Sequence, residues 1–174
     1  MDPQPAVRRA TQRHVRIEHT SLATGLGYHA LVEAFERELR TLDPAAVQRM
    51  IEGRAAWSDV ERELSEIAGP HGLMIVARID LGRFASLTGG DARCVSYLVG
   101  HPLIAEQIVS VDVRGSFLVP FRVALYDDGD PGGAIIAYDR PSSLLATLDR
   151  EELTAIGDAL DRKIDAVAAI VRAG

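Results

Sequence analysis

Apolar side chains recur every three or four residues in two stretches of the chain, one towards each end. The first stretch covers residues 27–42, and its apolar stripe comprises Tyr28, Leu31, Val32, Phe35 and Leu39. The second begins with the capping spacing Asp149-x-x-Glu152, and its stripe comprises Leu153, Ile156, Leu160, Ile164, Val167 and Val171. This period predicts two amphipathic helices. Each stripe needs an apolar surface to cover, and one face of a β-sheet is the simplest such surface.

The middle of the chain changes to short apolar runs, rich in β-branched and aromatic residues and separated by glycine, proline and aspartate. Such runs predict strands at residues 73–79, 93–99, 116–126 and 134–138, with a further candidate at 14–20. A polar segment joins the last two runs as a hairpin. We therefore expect an α+β fold: a single compact domain over residues 15–174, with a mainly antiparallel sheet of about four to five strands packed against helices.

Two further helices are predicted between residues 43 and 69, in the first half of the chain. Asp43 and Pro44 are the residue types of an N-cap and of a first helical position. Ser58 and Glu61 form a second capping box, and Gly69 followed by proline ends the helix that this box opens. We interpret residues 43–69 as a helical insertion that serves as a lid or as a dimerisation element.

Composition narrows the classes of function. The formal net charge of −6 repels nucleic acid and anionic membranes, so neither is expected as a partner. No window of the sequence is apolar enough to span a bilayer, and the single cysteine, Cys94, lies in an apolar run; we expect a cytoplasmic protein. Arg8, Arg9, Arg13 and Arg16 are uninterrupted by any acid. We interpret residues 1–14 as a basic arm that is solvated or laid across an acidic partner surface, with a nucleic-acid contact as the less favoured alternative.

One face of the predicted hairpin carries most of the polar chemistry in the chain. In the run 116–126 the odd positions are all apolar and are assigned to the core, whereas the even positions include Arg122 and Tyr126. Pro120 within this run predicts an edge strand or a bulge. In the register that we expect, Arg122 lies opposite Tyr138 on the even face. A guanidinium beside two phenols suits a ligand that carries a carboxylate or phosphate on an aromatic body.

The same residues also fit a structural role. Arg122 would then pack its stem on the sheet and pair with a nearby acid such as Asp139, while the tyrosines complete a dimer interface. Asp139 equally suits a turn after the last strand, because Asp hydrogen-bonds its own backbone in such loops. The residue pattern by itself is compatible with both interpretations.

His101 stands between a glycine and a proline, directly after a predicted strand. Proline disfavours helical backbone in the residue before it, so we expect His101 to be extended and Pro102 to open a short helix. An imidazole at this N-cap either accepts from a free backbone amide or faces outward as a ligand contact or an acid/base. The histidine spacing fits no zinc motif and the sequence has no phosphate-binding glycine loop, so we expect no metal and no cofactor.

Three short motifs, in this order, resemble a known family. They are Gly100-His101-Pro102 after a strand, P-x-R-V at residues 120–123 and Y-D-x-P at residues 138–141, followed by a long terminal helix. Over Val15 to Val171 the chain resembles the domain of unknown function 302 family, whose fold is a compact α+β sandwich known as TT1751-like. The resemblance implies this fold and a tendency to dimerise, and it implies no settled reaction or cofactor. The family pattern usually has Asn where this chain has His101.

The sequence therefore predicts a homodimeric protein that binds a small molecule, anionic or aromatic. The expected pocket comprises Tyr97, His101, Arg122, Tyr126, Tyr138 and Asp139. A first alternative is a cofactor-independent enzyme of specialised or degradative metabolism, with His101 as acid/base and Arg122 as substrate anchor. A second alternative is a dimeric structural or regulatory module in which the same face of the sheet is an interface.

Overall fold

The computed structural model of the chain describes residues 12–173. Most of the predicted basic arm, including Arg8 and Arg9, lies outside the described residues. The helices are α1 (Tyr28–Glu38), α2 (Pro44–Glu52), α3 (Trp57–Ala68), α4 (Leu81–Ala85), α5 (Pro102–Val111), α6 (Pro141–Ala146) and α7 (Glu152–Ala173). The strands are β1 (His19–Ala23), β2 (Arg40–Thr41), β3 (Met74–Ile79), β4 (Arg93–Gly100), β5 (Phe121–Asp127) and β6 (Ile135–Asp139).

The strands of the described region form one six-stranded sheet, in the order β1-β6-β5-β4-β3-β2. Neighbouring strands are antiparallel, apart from β2 and β3, which run parallel. The α+β single domain is as predicted, but its sheet has one strand more than expected. The additional strand is β2, which has only two residues and is too short to produce a period in the sequence.

One side of the sheet, which we call the inner face, is covered by α1 and α7 and holds the main core. Every second residue of the central strands points to it, because side chains alternate across a strand. Its buried residues are Val95, Tyr97, Val99, Phe121, Val123, Leu125, Ile136 and Tyr138. The predicted helical stripes meet this face through Leu31, Phe35, Leu153, Leu160, Ile164, Val167 and Val171. The two periods of the sequence thus converge on a single core, in which each large apolar side chain contributes roughly 1.5–3 kcal/mol.

Helices α2 and α3 form a second, smaller core at the β2–β3 end of the sheet. Its buried residues are Leu42, Leu64, Ala68 and Met74. Asp43 caps α2 as predicted, since its carboxylate accepts a hydrogen bond from Ala45 N at 2.9 Å. The capping box predicted at Ser58 is wrong, because α3 already begins at Trp57 and Ser58 therefore lies inside the first turn.

Strand β5 is shorter than the run predicted for it. Residues Val113–Phe117 form a 3₁₀ turn instead, in which the Asp112 carboxylate accepts from Arg114 N at 2.9 Å. Pro120 consequently precedes β5, which lies between β4 and β6. The edge strand or bulge predicted at Pro120 is wrong, because a proline in front of a strand removes no hydrogen bond from the ladder.

The described part of the N-terminal segment reaches the sheet without regular structure. Strand β1 begins at His19, near the end of the strand predicted at residues 14–20. Arg13 of the predicted basic arm donates to the Asp149 carboxylate at 2.8 Å, so this arginine pairs with an acid of the same chain. None of the helices between residues 12 and 173 is both long and apolar enough to cross a membrane.

Candidate functional site

The hairpin of β5 and β6 pairs one residue out of step with the expected register. Val123, and not Arg122, lies opposite Tyr138, and Tyr126 lies opposite Ile135. A shift of one residue moves a side chain to the other side of a sheet. Tyr138 therefore points into the core, while Arg122 and Tyr126 lie on the opposite side, which we call the outer face. The predicted group of one guanidinium and two phenols on a single face is not formed.

Tyr97 also lies on the inner face, opposite Val123 in the ladder. Its ring is fully buried, and its hydroxyl donates to Glu36 Oε1 at 2.6 Å. Arg78 Nε donates to the same carboxylate oxygen at 2.9 Å. Burial and the Glu36 carboxylate raise the pKa of Tyr97. This phenol links the sheet to α1, and its hydrogen bond is satisfied within the chain.

Tyr138 belongs to a second set of paired groups, which joins the end of β6 to α7. Its hydroxyl donates to Asp165 Oδ1 at 2.7 Å, and burial together with that carboxylate raises the pKa of the phenol. Arg140 donates to Asp161 at 3.0 Å and to Asp165 at 3.2 Å. Asp161 also accepts from the amide and the hydroxyl of Ser142, at 3.0 and 2.6 Å. We call these five residues the α7 ion network.

The remaining predicted residues lie apart from the two buried tyrosines. Arg122 is exposed and Tyr126 is half-buried, both on the outer face. The Asp139 carboxylate lies 2.9 Å from His19 Nδ1, so its partner is a neighbour on β1 and not the predicted Arg122. The structure thus brings Arg122 and Tyr126 to one face and separates them from the tyrosines of the core.

His101 is the N-cap of α5, as predicted. Its backbone is extended, Pro102 occupies the first helical position, and Nδ1 accepts a hydrogen bond from Leu103 N at 3.1 Å. Because Nδ1 is the acceptor, the proton of the neutral ring lies on Nε2. Burial and the positive charge of Lys163 lower the pKa of His101, which favours this neutral form. The residue is 8% exposed, so its Nε2–H is a donor held close to the interior.

Two cavities share His101 and Ile104 as lining residues. The first, which we call the apolar cavity, has a volume of about 140 Å³ and is lined mainly by apolar side chains of the sheet end, α5 and α7. The second, which we call the Lys163 cleft, has a volume of about 400 Å³ and a mixed lining that includes Gln107 and Lys163. Arg122 lines neither cavity, so the predicted pairing of His101 with Arg122 is not formed.

Lys163 reaches the cleft from α7, and it is the only lysine in the sequence. Its ammonium donates to His71 O at 3.1 Å, in the turn that precedes β3. Gly72 in that turn has a φ of +59°, and a Cβ at this position would lie 2.5 Å from Lys163 Nζ. Glycine therefore serves twice here, for the left-handed backbone and for the space that the ammonium takes. Within residues 12–173, Lys163 has no salt-bridge partner.

The Lys163 cleft offers charged and hydrogen-bonding groups to a ligand. It combines an ammonium, an imidazole N–H and the side-chain amide of Gln107. In the part of the chain that the structure describes, no group of three or more His, Cys, Asp and Glu side chains is placed to hold a metal ion. Cys94 is half-buried and lies away from both cavities.

The Lys163 cleft does not follow from any pattern in the sequence. Its parts come from the end of α3 and the turn at residues 69–72, from the start of α5 and from the middle of α7, and no local spacing connects these three regions. The one signal available is compositional, because the chain uses arginine at every basic position except residue 163. A compact ammonium and a planar guanidinium are not interchangeable, so a single lysine in such a chain marks a position for closer inspection.

The fold and the Lys163 cleft together define a single-domain α+β protein that has a mixed sheet and a polar cleft at one end of that sheet. Residues 51–171 match the family model described as Domain of unknown function DUF302, and the chain belongs to this family. The resemblance carried by the three short motifs is thereby confirmed.

Among solved structures, the chain is similar to an uncharacterized conserved protein DUF302 from Bacillus stearothermophilus. The TM-score is 0.61 and the sequence identity is 13%, over 87% of this chain and 96% of that chain. At this identity the likeness shows the fold alone. A comparison with curated proteins finds no match.

Proposed function

We propose that this protein binds a small anionic molecule in the Lys163 cleft, between Lys163 Nζ and His101 Nε2–H. One observation carries the proposal: Lys163, a half-buried residue whose ammonium has no carboxylate partner among the described residues, lines the same cleft as His101, whose Nε2–H has no hydrogen-bond partner among them. The proposal keeps the anionic ligand expected from the sequence and moves its site from Arg122 to Lys163.

The physical argument begins with the ammonium. A charge that loses part of its hydration without gaining an opposite charge is unfavourable. His71 O accepts only one of the three ammonium protons of Lys163. An anion that enters the cleft supplies the missing partner, and the attraction is stronger there than between exposed charges.

The imidazole complements the ammonium without adding a second full charge. Its pKa is lowered by burial and by Lys163, so His101 contributes a neutral N–H donor near neutral pH. An N–H and an ammonium side by side match the two oxygens of a carboxylate, and equally two oxygens of a phosphate. Gln107 and Ser65, which are exposed at the rim of the cleft, add an amide and a hydroxyl.

Replacing the lysine tests the proposal directly. Lys163→Gln should weaken binding of acetate and of inorganic phosphate at least about tenfold, because the charged partner of the anion is lost. The matched control is Arg162→Gln, an exposed neighbour on α7 whose replacement changes the net charge equally. NMR chemical-shift titrations at constant ionic strength measure both variants. Unchanged binding in Lys163→Gln, or equal weakening in the two variants, contradicts the proposal.

We also propose, as a second candidate, that the outer face is a homodimer interface. Leu98, Tyr126 and Ile135 on this face are half-buried and belong to neither core cluster. Ile79 at the edge of the same face is 43% exposed. Apolar side chains that remain partly exposed together on one face favour association with a second surface.

The oligomeric state tests the second candidate. Tyr126→Glu should convert the dimer to a monomer, because the new carboxylate would be buried without a partner. Gln48→Glu on the exposed side of α2 is the matched control and should leave the mass unchanged. Light scattering measures the mass of each variant. A monomeric parent protein at high concentration would rule out the interface.

A further inference from the structure

We infer that the anion bound in the Lys163 cleft is the carboxylate of a small arylcarboxylic acid whose single ring occupies the apolar cavity. The inference rests on the proposed function and adds to it the chemical class of the ligand. Benzoate and phenylacetate represent this class. Each carries one negative charge and one six-membered ring.

The apolar cavity has the size of one such ring. Its volume is about 140 Å³, and an apolar protein cavity of roughly 150 Å³ holds a benzene molecule. The side chains around it include Leu42, Val76, Ala105, Val119, Phe121 and Leu160. Because these groups offer no hydrogen bond, the cavity selects an apolar body and excludes a second charged group.

His101 connects the two parts of such a ligand. His101 lines both the apolar cavity and the Lys163 cleft, and Ile104 lines both as well. The ring of such an acid fills the apolar cavity and its carboxylate enters the Lys163 cleft, so the ligand passes beside His101. The carboxylate then meets His101 Nε2–H and the ammonium of Lys163, whereas acetate or phosphate would fill the cleft alone.

The backbone limits the size of the ring. Gly100 and Pro120 both line the apolar cavity, and a Cβ at Gly100 would lie 3.1 Å from Pro120 Cβ. The end of β4 therefore lies directly against the residue that precedes β5, and this side of the cavity cannot yield by a change of rotamer. A ligand with two fused rings exceeds the volume, so we expect discrimination by size as well as by charge.

A series of four acids tests the inference on the intact protein. Selective ¹⁵N-lysine labelling gives one backbone signal, because Lys163 is the only lysine. Its shift is followed during titration with acetate, benzoate, phenylacetate and 2-naphthoate. Benzoate or phenylacetate should bind at least about tenfold more tightly than acetate, since the ring leaves water for an apolar cavity. The fused rings of 2-naphthoate should give no such gain.

Cavity-filling variants locate the ring. Ala105→Leu places a larger side chain in the apolar cavity and should bring the affinity for benzoate to within about twofold of the affinity for acetate. Val119→Phe fills the same space from another element and replaces the first variant if that one does not fold. Ala30→Leu, on the exposed side of α1, is the matched control and should keep the preference for benzoate.

Each failure has a distinct meaning. Equal affinities for acetate and benzoate, both dependent on Lys163, would overturn the arylcarboxylate and leave the anion site intact. Binding of none of the four acids would overturn the anion site together with the inference. A preference for benzoate that persists in a folded cavity-filling variant would also overturn the inference, because the ring would then lie elsewhere.

Discussion

Helix α7 carries two polar groupings side by side, and they differ in how completely their members are paired. Asp161 and Asp165 meet Arg140 and Tyr138 in the α7 ion network. Lys163 lies between Asp161 and Asp165 in sequence. Its ammonium donates to His71 O in the turn before β3, and the residue lines the Lys163 cleft. Residues four apart share a face of a helix, whereas the residue between them points away.

The degree of pairing distinguishes a polar cluster that stabilises the fold from one that can bind a ligand. Asp161 is 6% exposed and accepts hydrogen bonds from Arg140 and from the amide and hydroxyl of Ser142, so burial leaves it well satisfied. Lys163 has a single backbone carbonyl as partner among the described residues. A satisfied cluster makes the local geometry rigid, while an unsatisfied one retains binding capacity. Tyr138, predicted as a ligand contact, belongs to the satisfied cluster.

The largest expected effect is a loss of stability when the well-paired α7 ion network is broken. Asp161→Ala should lower the free energy of unfolding by about 3 kcal/mol, because it removes the buried carboxylate that holds Arg140 and Ser142. Urea unfolding measures the change. Asp158→Ala, which alters an exposed acid of the same helix, should stay within about 0.5 kcal/mol of the parent. If Asp161→Ala lowers the free energy of unfolding no more than Asp158→Ala does, the α7 ion network is not what holds α6 against α7.

A smaller effect is expected at the turn that holds the ammonium. Gly72→Ala should lower the free energy of unfolding by about 1–2 kcal/mol, because alanine disfavours a φ of +59°. Its Cβ would also displace Lys163 Nζ, so acetate binding should weaken. Gly89→Ala provides the control, since Gly89 has a φ of +80° but nothing within 4 Å of the added carbon. If both variants bind acetate equally well, the position of the ammonium does not determine binding.

The smallest effect is a dependence of stability on pH. His101 has a lower pKa in the folded chain than the value of about 6.5 expected when it is unfolded. Between the two values the unfolded chain binds more protons, so the free energy of unfolding falls as the pH falls through about 6.5 and levels off below the folded pKa. His101→Asn keeps a capping side chain and removes the titration. Urea unfolding between about pH 7.5 and pH 5 should show a shallower decline for this variant; an equal decline would assign the effect to other groups.

Local features of this protein were predictable because local interactions produce them. Asp43 and His101 are N-caps in the structure as the sequence indicates, since capping needs only a side-chain oxygen or nitrogen two residues from a free amide. The stripes of α1 and α7 meet the core as their period predicts. The start of α3 shows the limit of such predictions. The sequence places the N-cap at Ser58, whereas the helix begins at Trp57, because the first residue of a helix also depends on what the helix packs against.

The candidate site was less predictable, for two physical reasons. A strand has a period of two, so a single residue of register decides whether Tyr138 joins Arg122 or faces away from it. The Lys163 cleft depends on contacts between segments far apart in the chain, for which the sequence contains no spacing. His101 is the exception, because its neighbours in sequence place it at the end of β4 and at the start of α5.

Sequence by itself determined most of the longer elements of this protein, the caps at Asp43 and His101 and the apolar surfaces that the elements share, because these depend on residues a few positions apart. Only the tertiary structure decided which polar groups are paired and which remain free. It joined Tyr97 to Glu36 and Tyr138 to Asp165, and it left Lys163 beside His101 without an acid among the described residues. Pairing across a fold depends on distances of a few ångströms between distant segments, which the order of residues alone does not specify.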